Sequence, residues 1–240
     1  MPQNGLLSIR WDTRLRFLNV IEESQHQMKK IIVSALVLLS LFACGESPKY
    51  NEACGDLVEF EIDEEYCQKY GLREEAFMLK YPESLEVDTQ EDYPSKNYAS
   101  FFKYDKDTLI VESVNIGYFY GLKESGKDGI GSFFGLTKES LLTSIVDQYR
   151  AQGLDIQETT MQDETIRGEK HYTVRGSINT DMEEIGLAGN YLIQMVMIAT
   201  EADHGVLLIM LAREDSGITS FKDFETKGCT SPILQTIEGS

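Results

Sequence analysis

The chain has 240 residues, with 22 Lys and Arg against 40 Asp and Glu, a formal charge of −18 and 42% apolar residues. A field of that sign repels phosphates, which excludes nucleic acid and anionic lipid surfaces as electrostatic partners and leaves cations, basic proteins or plain solubility. The apolar and aromatic content excludes a chain disordered throughout and suffices for one domain with a real core.

Residues 1–27 carry Arg10, Arg14 and Arg16 among scattered apolar residues with no sustained period. Behind them, "MKKIIVSALVLLSLFACGES" begins at Met28 and has the parts of an export signal: Lys29 and Lys30, an uncharged apolar run from Ile31 to Phe42, and small Ala43 before Cys44. The run is shorter than the roughly 20 apolar residues of a spanning helix. Residues 28–43 therefore read as a signal peptide, and residues 1–27 as a non-native extension from an upstream start codon, with a long cytoplasmic n-region cut away with the signal as the alternative. Leu41-Phe42-Ala43-Cys44 resembles the lipobox of bacterial lipoproteins. That resemblance implies a diacylglyceryl group on the Cys44 thiol, cleavage before Cys44, and acylation of the new amino group by a fatty acid such as palmitate. It implies a place in the bacterial cell envelope, on the outer membrane, with the membrane contacted through lipid. Each buried methylene adds about 0.8 kcal/mol, so two or three chains hold a soluble domain durably.

Five basic and three acidic side chains precede Cys44, which leaves −20 on the remainder. With Cys44 committed to lipid, Cys54, Cys67 and Cys229 remain. Cys54 and Cys67 enclose a short loop, and bridging it is worth about 3 kcal/mol on chain-entropy grounds. The expectation is a Cys54–Cys67 disulfide, with pairing of either cysteine to Cys229 as the alternative. No CxxC or His spacing accompanies them, so no metal is expected.

Residues 44–56 read as a polar tether containing Pro48, and residues 57–240 as a single α+β domain. "LVEFEI" alternates Val58, Phe60 and Ile62 with Glu59 and Glu61, a half-buried strand. "EEYCQKYGL" reads as a helical turn closed by Gly71. "AFMLKYP", "YASFFKY" and "TLIVESVNIGYFY" read as strands, the last two joined by a turn at Asp105-Lys106-Asp107. Gly126, Gly129, Gly131 and Gly135 interrupt the pattern before "TKESLLTSIVDQYRAQG". There Leu141, Leu142, Ile145, Val146 and Tyr149 recur at helical spacing behind a Thr137 cap. "TIRGEKHYTVRGSI", "NYLIQMVMIAT" and "GVLLIMLAR" then read as an antiparallel meander, its central run apolar enough to be covered on both faces. "SFKDFETKGCTSPILQTIEGS" reads as one or two helices interrupted at Gly228 and Pro232.

This order, with "FMLKYPESLEV", "KESLLTSIVDQYR" and a strand carrying Gly168, resembles the PsbP-like family over roughly Ala76 to Ile237. The resemblance implies an α-β-α sandwich with a mostly antiparallel sheet flanked by helices. It carries no ligand or catalytic residue over to this chain.

Candidate chemistry is sparse. His171 and His204 lie in the meander without a partner spacing and read as structural, His204 as a hairpin-turn residue. "GKDGIGSFFG" lacks the Lys-Ser end of a phosphate loop, and Ser132 sits in no GxSxG elbow. Asp63, Glu64 and Glu65, and Asp88, Glu91 and Asp92, lack the alternation of a calcium loop and read as acidic edges. The aromatic set from Tyr93 to Phe134 reads mostly as core, with the Tyr118-to-Phe134 stretch as a candidate binding surface. The expectation is a non-enzymatic interaction or assembly module, without cofactor, that contacts another envelope protein. The alternative is a small-ligand receptor or hydrolase with a site near His171 or the Gly126–Gly135 loop around Asp128.

Overall fold

The longest apolar runs of the chain become the middle of its largest sheet. The computed structural model describes residues 52–90, 97–120, 122–123, 132–133, 138–199 and 204–239. The strands are β1 (Leu57–Ile62), β2 (Phe77–Pro82), β3 (Glu86–Thr89), β4 (Ala99–Tyr104), β5 (Ile110–Tyr120), β6 (Leu122–Lys123) and β7 (Ser132–Phe133), followed by β8 (Ile156–Ile166), β9 (Glu169–Thr180), β10 (Gly189–Ala199), β11 (His204–Arg213) and β12 (Glu238–Gly239). Three α-helices, α1 (Glu64–Tyr70), α2 (Lys138–Ala151) and α3 (Ser231–Thr236), complete the described elements together with short 3-10 turns. Seven strands pair in the order β3-β4-β5-β11-β10-β9-β8, antiparallel throughout, and β1-β2-β12 form a smaller sheet.

Because side chains alternate across a strand, the large sheet has two distinct faces. Val114 and Ile116 of β5 and Val206, Leu208 and Met210 of β11 point to one face, where they pack with Phe77 and Leu79 of β2, Cys67 of α1, and Ile233 and Leu234 of α3. Tyr191, Ile193 and Met195 of β10 and Val174 and Ile178 of β9 point to the other, beneath Leu142, Ile145 and Tyr149 of α2. The result is the expected α+β sandwich, a mostly antiparallel sheet with helices on both faces. The reading of β10 as a strand covered on both sides holds, since it is buried almost continuously from Tyr191 to Met197.

Local chemistry explains most element ends. Asp63 caps α1 by accepting the Tyr66 amide at 2.7 Å, and Gly71 closes it at φ 65°. In the β4–β5 turn, Asp105 accepts the amides of Asp107 and Leu109 at 2.8 and 3.0 Å. Its other oxygen receives Arg213 at 2.6 Å, which ties that turn to the end of β11.

Three sequence expectations change. "TIRGEKHYTVRGSI" is the corner of a hairpin and not one strand: β8 ends at Ile166, β9 starts at Glu169, and Arg167 and Gly168 turn the chain at φ 57° and 85°, as a two-residue hairpin loop requires. β8 leaves little periodic signal in the sequence, because it is an edge strand whose exposed positions carry Gln, Thr, Asp and Glu and whose alternation slips at a bulge between Gln157 and Thr160. At the C-terminus Pro232 does not interrupt a helix; it lies in the first turn of α3, where its missing N–H costs nothing.

Candidate functional site

The disulfide joins Cys54 to Cys229, with Cα atoms 5.5 Å apart, and the expected Cys54–Cys67 bridge is absent. The reason is geometric. Cys67 sits on α1 with its side chain fully buried, and its thiol donates to the Glu75 carbonyl at 3.7 Å. Cys54 ends a 3-10 turn that packs into the core at 2% exposure beside Cys229, just ahead of α3. Burial pushes the Cys67 thiol up, so it stays protonated and unreactive. Cys44, the signal peptide, and the Gly126–Gly135 loop apart from Ser132 and Phe133 lie outside the described residues.

The two histidines are placed differently. His171 is buried in β9 at 6% exposure, bonded to the backbone of Ile166 and Met197. Burial holds it below its ordinary value, so it is neutral in the fold. No carboxylate bonds to its ring among the interactions the structure gives it. His204 is not a turn residue but the first residue of β11, paired with Tyr120 of β5. Its Nε2 lies 3.1 Å from Glu75 Oε1, with the two side chains 14% and 4% exposed. Sequence spacing gave no hint of this pair, because Glu75 belongs to the connection before β2, far from His204 along the chain.

Around Glu75 the chain builds a polar knot. The Tyr98 hydroxyl donates to the Arg73 carbonyl at 3.0 Å, the Tyr66 hydroxyl donates to the Tyr98 carbonyl at 2.9 Å, and the Arg73 guanidinium lies 5.9 Å from the Tyr118 ring centre. Burial, with the Glu75 charge behind it, pushes the Tyr98 phenol above its ordinary range. An acid beside a histidine is half of a catalytic dyad. Here the neighbouring thiol is held protonated and turned to a carbonyl, and the knot fastens α1 and the connection before β2 to β5 and β11. Asp63, one of the acidic residues weighed as a calcium ligand, is spent on capping α1.

The opposite face of the large sheet offers a concave surface. Helix α2 covers only part of this face, and beside it opens a cleft of 540 Å³. Its floor is Gly117 and Phe119 of β5, Leu207 and Ile209 of β11, and Met195 and Met197 of β10. The α2 wall presents Leu141, Ser144, Ile145, Gln148 and Tyr149, successive positions on one helix face, and Asn97 stands across from it. None of the described lining residues is charged. Of the aromatic residues expected to line a binding surface, Tyr118 and Phe119 both do so, Phe119 as part of the floor and Tyr118 while also packing against the core on the opposite face.

No family model matches the chain, and no curated protein matches it either. Among solved structures, the chain is similar to a cyanobacterial PsbP from Synechocystis, with TM-score 0.45, 13% identity, and 78% of this chain and 94% of that one covered. It is also similar to LpqN, involved in cell envelope biogenesis of Mycobacterium tuberculosis, with TM-score 0.40, 11% identity, and coverage of 81% and 99%. A third similar structure is the Saccharomyces cerevisiae Ran-binding protein Mog1p, with TM-score 0.39, 11% identity, and coverage of 76% and 96%.

Proposed function

We propose that the chain is a lipid-anchored protein of the bacterial cell envelope, held through Cys44 on the outer membrane, whose domain acts as a non-enzymatic interaction module for another envelope protein. The observation that carries the reading is the coincidence of two cysteine chemistries ten positions apart. Cys44 closes a lipobox-like run, and Cys54 begins the folded domain in a disulfide. Structural disulfides persist in oxidising compartments such as the periplasm, which is where the signal would send the domain. The thiol kept for lipid is thus distinct from the thiols used for folding.

The hydrolase alternative needs a general base. His171, its candidate, is buried in β9 beside the edge strand β8 and bonded to backbone, which argues against it. The anchor is tested by feeding cells a labelled palmitate analogue: Cys44→Ala loses the label, and undiminished labelling of that variant would refute the anchor. The partner is tested by crosslinking intact envelopes and identifying what is captured with wild type and lost on release from the membrane.

A further inference from the structure

We propose that the cleft between α2 and the β10-β11-β5 face is a binding site for an uncharged ligand with a compact apolar body and a hydrogen-bonding group. This goes beyond the anchor and the protein partner argued above, and nothing in it depends on either.

Size and chemistry agree. Small-molecule sites are concave, typically about 300–1,000 Å³, mostly apolar, with a few placed polar groups. This cleft measures 540 Å³, and apolar side chains from three strands and one helix meet uncharged Asn97, Ser144, Gln148 and Tyr149. In a chain carrying −18, a lining without a carboxylate is a selective feature. With no cation in the described lining and a negative field around it, an anion finds no counter-charge.

Gly117 shapes the floor of the cleft. It sits in the interior of β5, paired with Leu207, and is not among the glycines at positive φ. No backbone demand therefore explains a residue that weakens a strand; the group that approaches it closely is the side chain of Asn97. A Cβ built there would project 3.3 Å from Asn97 Oδ1, at the junction of the cleft floor and its far wall. Gly117 keeps the floor low where a larger side chain would fill it. Met195 and Met197 line the neighbouring strand, and methionine adapts to varied apolar shapes.

Tyr149 supplies the polar contact. Its hydroxyl makes no hydrogen bond to another described residue, and burial alone pushes its phenol up to about 12. It is a neutral donor and acceptor on the helix wall of an apolar cleft.

The test uses the full chain in lipid nanodiscs with 13C-methyl methionine, titrated with naphthalen-2-ol and, separately, with naphthalene-2-carboxylate, at free probe concentrations fixed by dialysis. The neutral probe shifts the Met195 and Met197 methyl resonances saturably and leaves Met78, on the small sheet, and Met210, on the opposite face, unmoved. The carboxylate binds at least tenfold more weakly. Tyr149→Phe weakens the neutral probe roughly two- to tenfold, the worth of one hydrogen bond. Gly117→Leu, which fills the floor, abolishes the shifts. Ser144→Trp does the same from an exposed helix position, and it decides the matter if Gly117→Leu loses the dispersed methyl spectrum of the fold. Unmoved Met195 and Met197, shifts that survive Ser144→Trp, or equal affinity for the two probes would each overturn the proposal. Palmitate labelling at Cys44 reads the anchor separately.

Discussion

Cys54 is bonded to Cys229 across 175 residues, so a single covalent link joins the first described turn to the segment that leads into α3. Closing a loop that long removes about 5 kcal/mol worth of freedom from the unfolded chain on the entropic account. Cys229→Ser, or reduction of the wild type, is expected to lower the urea midpoint by an amount corresponding to roughly 3–5 kcal/mol. Peptide mapping under non-reducing conditions checks the pairing: a Cys54–Cys229 peptide appears, and Cys67 is alkylated only after unfolding.

How much of this was legible in the sequence follows from the range of the interactions. Alternating apolar residues in β1 and β5, the helical stripe of α2 and the Gly71 stop are local signals, and each of these elements forms where its pattern stands. The Cys54 partner and the Glu75–His204 pair are set by contacts between residues far apart in the chain, which no spacing rule encodes. β8 was hidden because an edge strand needs little apolar alternation. Of the cleft, only the Tyr118–Phe119 end of the candidate binding surface is legible; Tyr149 reads as part of the stripe that packs α2 on the sheet, and Gly117 as an ordinary strand glycine until the sheet places it opposite Asn97 and beside Leu207.

Glu112 of β5 is fully buried and bonded on both oxygens. One receives Lys103 at 3.0 Å, and the other receives the Thr230 amide and hydroxyl at 3.2 Å each. This carboxylate fastens the entry to α3 onto the large sheet. Glu112→Ala strands the Thr230 groups and is expected to cost roughly 2–4 kcal/mol. Glu112→Gln keeps the shape and loses the charge, so it costs less. Urea unfolding of the two variants checks the order.

Gly228 lies against the same carboxylate. A Cβ there would stand 2.5 Å from Glu112 Oε2 and 2.6 Å from Ile218 Cδ1. Gly228→Ala therefore displaces the chain just before Cys229, with a cost expected at roughly 1–3 kcal/mol for overpacking. In the Glu112→Ala background that space is partly relieved, so the two losses are less than additive. A double-mutant cycle measures the coupling, and strict additivity would refute the contact.

His171 and Asp223 give the acid response of the fold two separate limbs. Burial holds His171 below its ordinary 6.5, against the opposing influence of Glu169, so the folded chain keeps it neutral while the unfolded chain protonates it. The unfolded state then binds the extra proton, and stability falls as pH drops below about 6.5. Asp223 is shifted down by Lys227 at 2.8 Å and by hydrogen bonds from the Thr219 amide and hydroxyl and from Ser220. Its contribution is complete above the ordinary carboxylate value of 3.8 and is lost as pH falls below it. Urea midpoints measured from about pH 7.5 down to about pH 3 should therefore fall in two steps. His171→Gln flattens the first step and leaves the second, whereas Asp223→Asn lowers the whole curve above about pH 4 and shrinks the second, the rest of which comes from Asp105 and Asp215, both held low by Arg213. A first step unchanged in His171→Gln would mean that His171 is protonated in the folded chain, contrary to its burial in β9.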